Sequence, residues 1–238
     1  MQQQRLHFPA LLNARDLGGH PTLDGGVTRS RSLLRADDLA QLNAEGVEAL
    51  ARYGVETVID LRWPAEVARH PNPIPTALPQ VRYVQLSLLT PSEDEWRLRC
   101  PEPTKELWKC AALEGVGAEL RTVLGVIAAA TPGALLFHCV AGKDRTGLIA
   151  ALLLTLADAE PEAIARDYVA SSENLREGYL KRYPNTEPAR ILAALHCPEV
   201  GVHNMLKFLA EGGGVRAYLR RIGLGEDEIA RLRARLRD

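Results

Sequence analysis

The sequence predicts an α/β fold: a central, mainly parallel sheet flanked by helices. Three observations lead there. Val55–Leu61 and Ala134–His138 are short apolar runs of the kind found in strands covered on both faces. Helical patterns separate them, so strands and helices alternate as they do around a parallel sheet. Finally, Arg145–Ala157 is apolar nearly all the way round, which predicts a helix in the middle of a core.

In chain order, the first thirty residues are rich in Gly, Asp and Arg and read as loops with a short strand or hairpin. Leu33 and Leu34 read as a strand running into Arg35. Asp37 or Asp38 then caps a helix extending to about Arg52, with Leu39, Leu42, Val47 and Leu50 inward. A second strand covers Val55–Leu61, a proline-rich loop follows, and Val81–Leu86 reads as a third strand. Residues 90–112, polar and interrupted by proline, read as an insertion of short helices, and Trp96 and Trp108 make it a candidate lid or an ordinary packed surface. A helix from about Glu114 to Ala130 leads through a Thr-Pro-Gly turn into the strand Ala134–His138. From Glu160 onward the pattern is helical, and the last helix opens on Glu226, Asp227 and Glu228 and closes on arginines, in keeping with the helix dipole. The whole chain, 1–238, reads as one domain.

The formal net charge of −1 excludes a chain-wide basic field for gripping nucleic acid, and any basic site is therefore local. No apolar run of about eighteen residues marks a membrane span. The first residues lack the pattern of a cleaved export signal, so the expected location is the cytoplasm, with leaderless export left open. Cys100, Cys110, Cys139 and Cys197 form no CxxC pair, which predicts free thiols, one of them chemical. The sequence sets no oligomeric state.

The chemistry concentrates in His138-Cys139-Val140-Ala141-Gly142-Lys143-Asp144-Arg145-Thr146-Gly147, between the strand and the buried helix. A cysteine at a strand end, followed at Cys-x5-Arg spacing by an arginine at a helix start, suits an anion. The amides of Val140, Ala141, Gly142 and Lys143 can curl inward beside the open helix N-terminus and make a concave anion seat. Gly142 allows the turn, and Arg145 can fork two phosphate oxygens. The same positive field favours a nucleophilic thiolate at Cys139. Thr146 either donates its hydroxyl to the sulfur or only joins the first helical turn, and His138 orients the loop through its ring nitrogens. The run is no Walker A loop, because Phe137 stands where the first glycine belongs and Asp144 replaces the Ser/Thr.

The run resembles the phosphate loop, HCxxGKDRTG, of bacterial tyrosine-phosphatase-like enzymes with dual protein and phosphoinositide activity. Asn13-Ala14-Arg15-Asp16-Leu17-Gly18-Gly19 is similar to that family's N-terminal NxRDLGG. Leu34-Arg35-Ala36-Asp37, Val58-Ile59-Asp60-Leu61-Arg62, Tyr218-Leu219 and Gly223-Leu224-Gly225 also match its pattern, so the likeness spans nearly the whole chain. It implies a cysteine-dependent phosphatase fold, with phosphorylated proteins or phosphoinositides as partners.

Cleaving a phosphate monoester needs a general acid. Trp63-Pro64 is followed by Ala65, so a loop acid of the Trp-Pro-Asp kind is missing there. The resemblance implies Asp144 instead, with Asp60, Glu93 or Asp94 as alternatives and a helix N-cap as the rival role for Asp144. It also implies that Lys143 takes a second phosphate, against a plain ion pair with Asp144. Asp60 and Arg62 either help position the loop or substrate or form a structural ion pair, and Arg15 and Asp16 are expected to fix the N-terminal turn with Gly18 and Gly19. The expected reaction runs through a phosphocysteine, with no metal or other cofactor, the loop and Arg145 supplying the positive field. Two rival readings are a rhodanese-like sulfur transferase and a non-catalytic domain that binds phosphorylated ligands.

Overall fold

A computed structural model describes residues 5–89 and 104–237. The sheet has the order β1-β2-β5-β3-β4, with β1 (Arg15–Asp16), β2 (Leu33–Ala36), β3 (Val55–Asp60), β4 (Arg82–Gln85) and β5 (Ala134–His138). All neighbours are parallel except the two-residue edge strand β1, which runs antiparallel to β2. The α/β class and its mainly parallel sheet are as the apolar runs predict.

Alternate residues of the strands serve two cores, as strand geometry requires. Leu33, Ile59, Leu135 and Phe137 face the larger one, built with α5 (Gly117–Ala129), the buried α6 (Asp144–Leu156) and the C-terminal α10 (Val215–Arg221) and α11 (Glu226–Ala234). Leu34, Val58, Ala134 and Leu136 face the smaller one, closed by α1 (Ala44–Tyr53) and the turn α3 (Ile74–Ala77). The strand ends then fall level. Ala36 and Asp60 both register with His138, and Gln85 with Asp60, so the carboxyl ends of four strands form one edge. In parallel sheets this is where ligands gather.

Three helical expectations shift. The helix expected from Asp37 or Asp38 to Arg52 is two pieces: Asp38 caps a 3-10 turn at Leu39–Gln41, and Asn43 caps α1 through Gly46 N. Each cap residue satisfies one set of orphan amides, so each starts its own element. The helix expected from Glu114 divides into α4 (Trp108–Gly115) and α5, because Gly115 and Gly117 flank the break at Val116 and weaken helix there. The proline-rich loop holds α3, with a proline in its first turn. Of the expected insertion, residues 90–103 with Trp96, Glu93, Asp94 and Cys100 lie outside the described residues. Its last part is α4, which buries Lys109, Ala112 and Leu113. Cys110, Cys139 and Cys197 are free thiols.

Candidate active site

The loop between β5 and α6 is held from behind by its carbonyls. Val140 O accepts Asp38 N at 3.0 Å, and Lys143 O accepts Gly147 N at 2.8 Å. Ala141 O accepts Asn13 Nδ2 at 2.9 Å, and Gly142 O accepts Asn13 Nδ2 at 3.2 Å and Arg35 Nη2 at 2.6 Å. A trans peptide points its N–H opposite to its C=O. Carbonyls tied to the N-terminal segment therefore turn the amides the other way, and among the described residues the amides of 140–144 donate to no protein group. Gly142 is required twice over: its φ is +62°, and a Cβ there would lie 2.4 Å from Ala36 O.

Cys139 is buried, and its Sγ accepts the Thr146 hydroxyl at 3.1 Å. Thr146 thus does both things the sequence left open, lying inside the first turn of α6 and touching the sulfur. Arg145 is forked by Glu66, Nη1 to Oε2 at 2.6 Å and Nη2 to Oε1 at 2.8 Å, and lies 4.9 Å over the Trp63 ring. Burial works against the Arg145 charge, but Glu66 and Cys139 outweigh it and strengthen its hold on the proton. Burial likewise works to raise Glu66, and Arg145 keeps it below the usual carboxylate range. Glu66 also accepts Trp63 N at 2.7 Å, which fixes the turn into α2 (Pro64–Arg69).

Behind the cysteine, the Asn72 side chain is oriented by its Oδ1, which accepts Ile74 N, and its Nδ2 lies 3.0 Å from His138 Nε2. Nε2 also lies 3.4 Å from Asp60 Oδ2, and Nδ1 faces Cys139 O at 3.2 Å. These contacts place the His138 ring between Asn72 and the first residue of the loop. Asp60 is fully buried and accepts from Arg62 Nε at 2.9 Å, Arg62 Nη2 at 2.6 Å and the Tyr83 hydroxyl at 2.8 Å. Burial alone would raise its pKa, but His138 and Arg62 prevail and hold it far below the usual range. Arg62 also reaches Asp38 Oδ1 at 2.8 Å and His70 O at 2.9 Å, which ties β3 to the segment behind the loop.

Asp144 opens α6, but its side chain makes no cap bond; Lys143 occupies the cap position. The Asp144 side chain is 44% exposed, lies 3.4 Å from Lys143 Nζ, and accepts the Tyr168 hydroxyl at 3.1 Å. The N-cap alternative is thereby corrected: α6 begins one residue too early for it. Lys143 is buried and donates to Ala194 O at 2.8 Å, near the C-terminus of α8 (Pro188–Leu195), as well as facing Asp144.

Several residues of the site escaped the sequence reading. Asp167, on α7 (Pro161–Arg182), pairs with both Arg15 and Arg35, and Arg15 also donates to Ser171. Burial pushes the Asp167 carboxyl up, but Arg35 and Arg15 hold it below its usual range. Arg15 therefore braces the loop's support and does not fix the N-terminal turn as expected; Asp16 does that, accepting Gly18 N at 2.8 Å and Arg31 N at 2.7 Å. Asn13, Arg15 and Arg35 sit in the matched motifs, so a signal existed for them. Glu66 stands three residues after Trp63, a capping-box spacing. Nothing in the polar pattern of α7 singles out Asp167 or Tyr168.

The fold and this loop define a class, α/β phosphatases built on a Cys-x5-Arg loop between a central strand and a buried helix. The chain belongs to the tyrosine phosphatase family, whose sequence profile matches residues 6–238. It is 30% identical over 232 residues to a tyrosine-protein phosphatase of Nostoc commune, covering 86% of this chain and 74% of that one. It is 26% identical over 197 residues to the triple specificity protein phosphatase PtpB of Mycobacterium tuberculosis, covering 71% of this chain and 69% of that one. The protein is a phosphatase and acts on phosphorylated substrates. Among the described residues no helix is long and apolar enough to cross a membrane.

Proposed function

We propose that the protein hydrolyses phosphate monoesters through a phosphocysteine on Cys139, with phosphotyrosine the main substrate class and phosphoserine, phosphothreonine and phosphoinositides further ones. One observation carries this reading: Cys139 Sγ takes the Thr146 hydroxyl at 3.1 Å beside a loop whose carbonyls are all turned away. In the first step the Sγ–P bond forms in line as the P–O bond to the leaving group breaks, and Asp144 gives its proton to the leaving oxygen. In the second, water attacks phosphorus, Asp144 takes the water's proton, and the S–P bond breaks to return the thiolate. Loop amides hold the equatorial oxygens. Arg145 uses its end to bind Glu66, and its Nε–Nη2 side remains to fork two phosphate oxygens.

Lys143 is the residue we connect with a second phosphate. It would exchange its bond to Ala194 O for a phosphate oxygen, which suits a doubly phosphorylated headgroup. The name of the Mycobacterium tuberculosis relative, a triple specificity phosphatase, supports a broad substrate range.

The test is a denaturing quench during turnover of a phosphotyrosine peptide, followed by mass spectrometry. The expected result is one phosphoryl group on the peptide that contains Cys139, and none in Cys139→Ser, which binds substrate without turning it over. Turnover retained by Cys139→Ser would end this reading. Parallel rates on phosphoserine, phosphothreonine and phosphoinositide substrates fix the range.

A further inference from the structure

Lys109 is an unusual residue in its place. It lies on α4, fully buried, and its Nζ has no hydrogen-bond partner among the described residues. An ammonium sealed from water without an acceptor is costly, and a methionine would fill the same space without that cost. What the ammonium does meet is aromatic: it sits 3.1 Å from the centre of the Tyr168 ring, with the Trp108 ring 5.8 Å away. The hydroxyl of that same Tyr168 is the donor to Asp144. Gly147 allows this closeness to α6, since a Cβ there would stand 3.0 Å from Tyr168 Cδ2.

We propose that Lys109 is a positioning residue for Asp144, acting through Tyr168: the buried ammonium holds the phenol ring by its face, strengthens its O–H as a donor, and so fixes the carboxylate beside the phosphate seat. The inference rests on the reading of Asp144 as proton donor and acceptor. A cation on a ring face attracts the ring's electron density, and in a low-dielectric setting such charges polarise the hydrogen bond that follows. Tyr168 stays a phenol throughout, because burial and Asp144 both push its ionisation far up. Lys109 behaves differently. Burial brings it down to about 7, Asp144 and Cys197 draw it up, and Arg35 and Lys143 push it down. Those groups face it from α6, from the segment after α8, from β2 and from the loop itself. Lys109 thus changes charge near neutrality while the phenol between it and Asp144 does not.

The experiment measures kcat/KM against pH on an aryl phosphate and an alkyl phosphate for wild type, Lys109→Met, Tyr168→Phe, Asp144→Asn and the double variant Lys109→Met/Asp144→Asn. The expected result is that Lys109→Met loses about tenfold more on the alkyl than on the aryl ester, a part of what a general acid supplies. Tyr168→Phe shows the same leaving-group bias. The alkaline limb of the wild-type profile moves up by about one pH unit in Lys109→Met, since a cation that favours the carboxylate anion is gone. In the Asp144→Asn background the lysine change costs little more. Lys109→Met keeps an equal or higher Tm, because an apolar chain replaces a buried charge.

Equal losses on both esters, an unmoved pH profile, or losses that add fully in the double variant would assign Lys109 to packing and overturn the proposal. If Lys109→Met fails to fold, Tyr168→Phe alone decides by its leaving-group bias. Failure of the underlying reading shows separately, as an Asp144→Asn single variant without any preference for good leaving groups.

Discussion

Asp60 and Asp144 sit on either side of the same loop and could hardly differ more. Asp60, at the end of β3, is closed off from water and filled by Arg62, Tyr83 and Asn72. Asp144, at the start of α6, is 44% exposed and has one phenol and one lysine for company. A carboxylate whose lone pairs are all engaged is a girder, and its proton affinity is held too low for exchange near neutrality. On the proposed mechanism the half-open carboxylate, met by one phenol and one lysine, is the one that gives and takes the proton. On that reading, one edge of the sheet holds a rigid corner at Asp60 and a reactive corner at Asp144.

The largest expected effect breaks the reactive corner. Asp144→Asn is expected to slow alkyl phosphate hydrolysis by roughly 10²–10⁴-fold, the usual worth of a general acid, with much smaller loss on an aryl ester and with Tm nearly unchanged; steady-state rates and a melting curve check it. Removing the girder has the opposite signature. Asp60→Ala leaves buried Arg62 with Asp38 as its remaining carboxylate and strands the Nε and Nη2 donors, and is expected to cost about 1–3 kcal/mol of stability, read by urea unfolding. The same corner has a pH signature. The native carboxyl of Asp60 is depressed, so its stabilisation is present above the ordinary unfolded value near ~4 and is lost as the pH falls below it. Asp60→Asn should therefore flatten the acid side of the stability curve below about pH 4.

A smaller effect tests the brace between the corners. Glu66→Gln loses the ionic fork on Arg145, and a loss of about tenfold in kcat/KM is expected, matching a charged hydrogen bond of about 1.5–3 kcal/mol weakened but not removed. Smallest of all, Lys143→Ala is expected to lower turnover of a phosphoinositide about threefold more than that of a phosphotyrosine peptide, a preference of under about 1 kcal/mol. An equal loss on both would remove Lys143 from substrate choice.

Much of this was legible in the sequence where local chemistry decides. The Ala134–His138 strand is found as expected, and so, to within one residue, is the buried helix after it, because apolar runs of those lengths have few other uses. The loop was legible because Cys139, Gly142, Arg145 and Thr146 each carry a separate physical reason for their position. What stayed hidden is tertiary. Nothing near Glu66 says that its carboxylate meets Arg145, and nothing near Asp167 says that two arginines from distant strands end on it. Lys109 lies in a stretch that reads as polar, and only its tertiary place over the Tyr168 ring shows that it is buried. Helix breaks at Val116 and Leu42 were missed for a simpler reason, since caps and glycines that end one helix can also lie within a longer apolar pattern.

The grip of Asn13 on Ala141 O joins residues 128 positions apart in the chain. Contacts of that span form only after a long stretch of polypeptide has closed on itself, and they come late in assembly. Catalytic competence therefore waits for this long-range closure. On heating it should fail together with the hydrophobic interior, because Phe8, Leu11, Ala14 and Leu17 of the same leading segment belong to the buried cores.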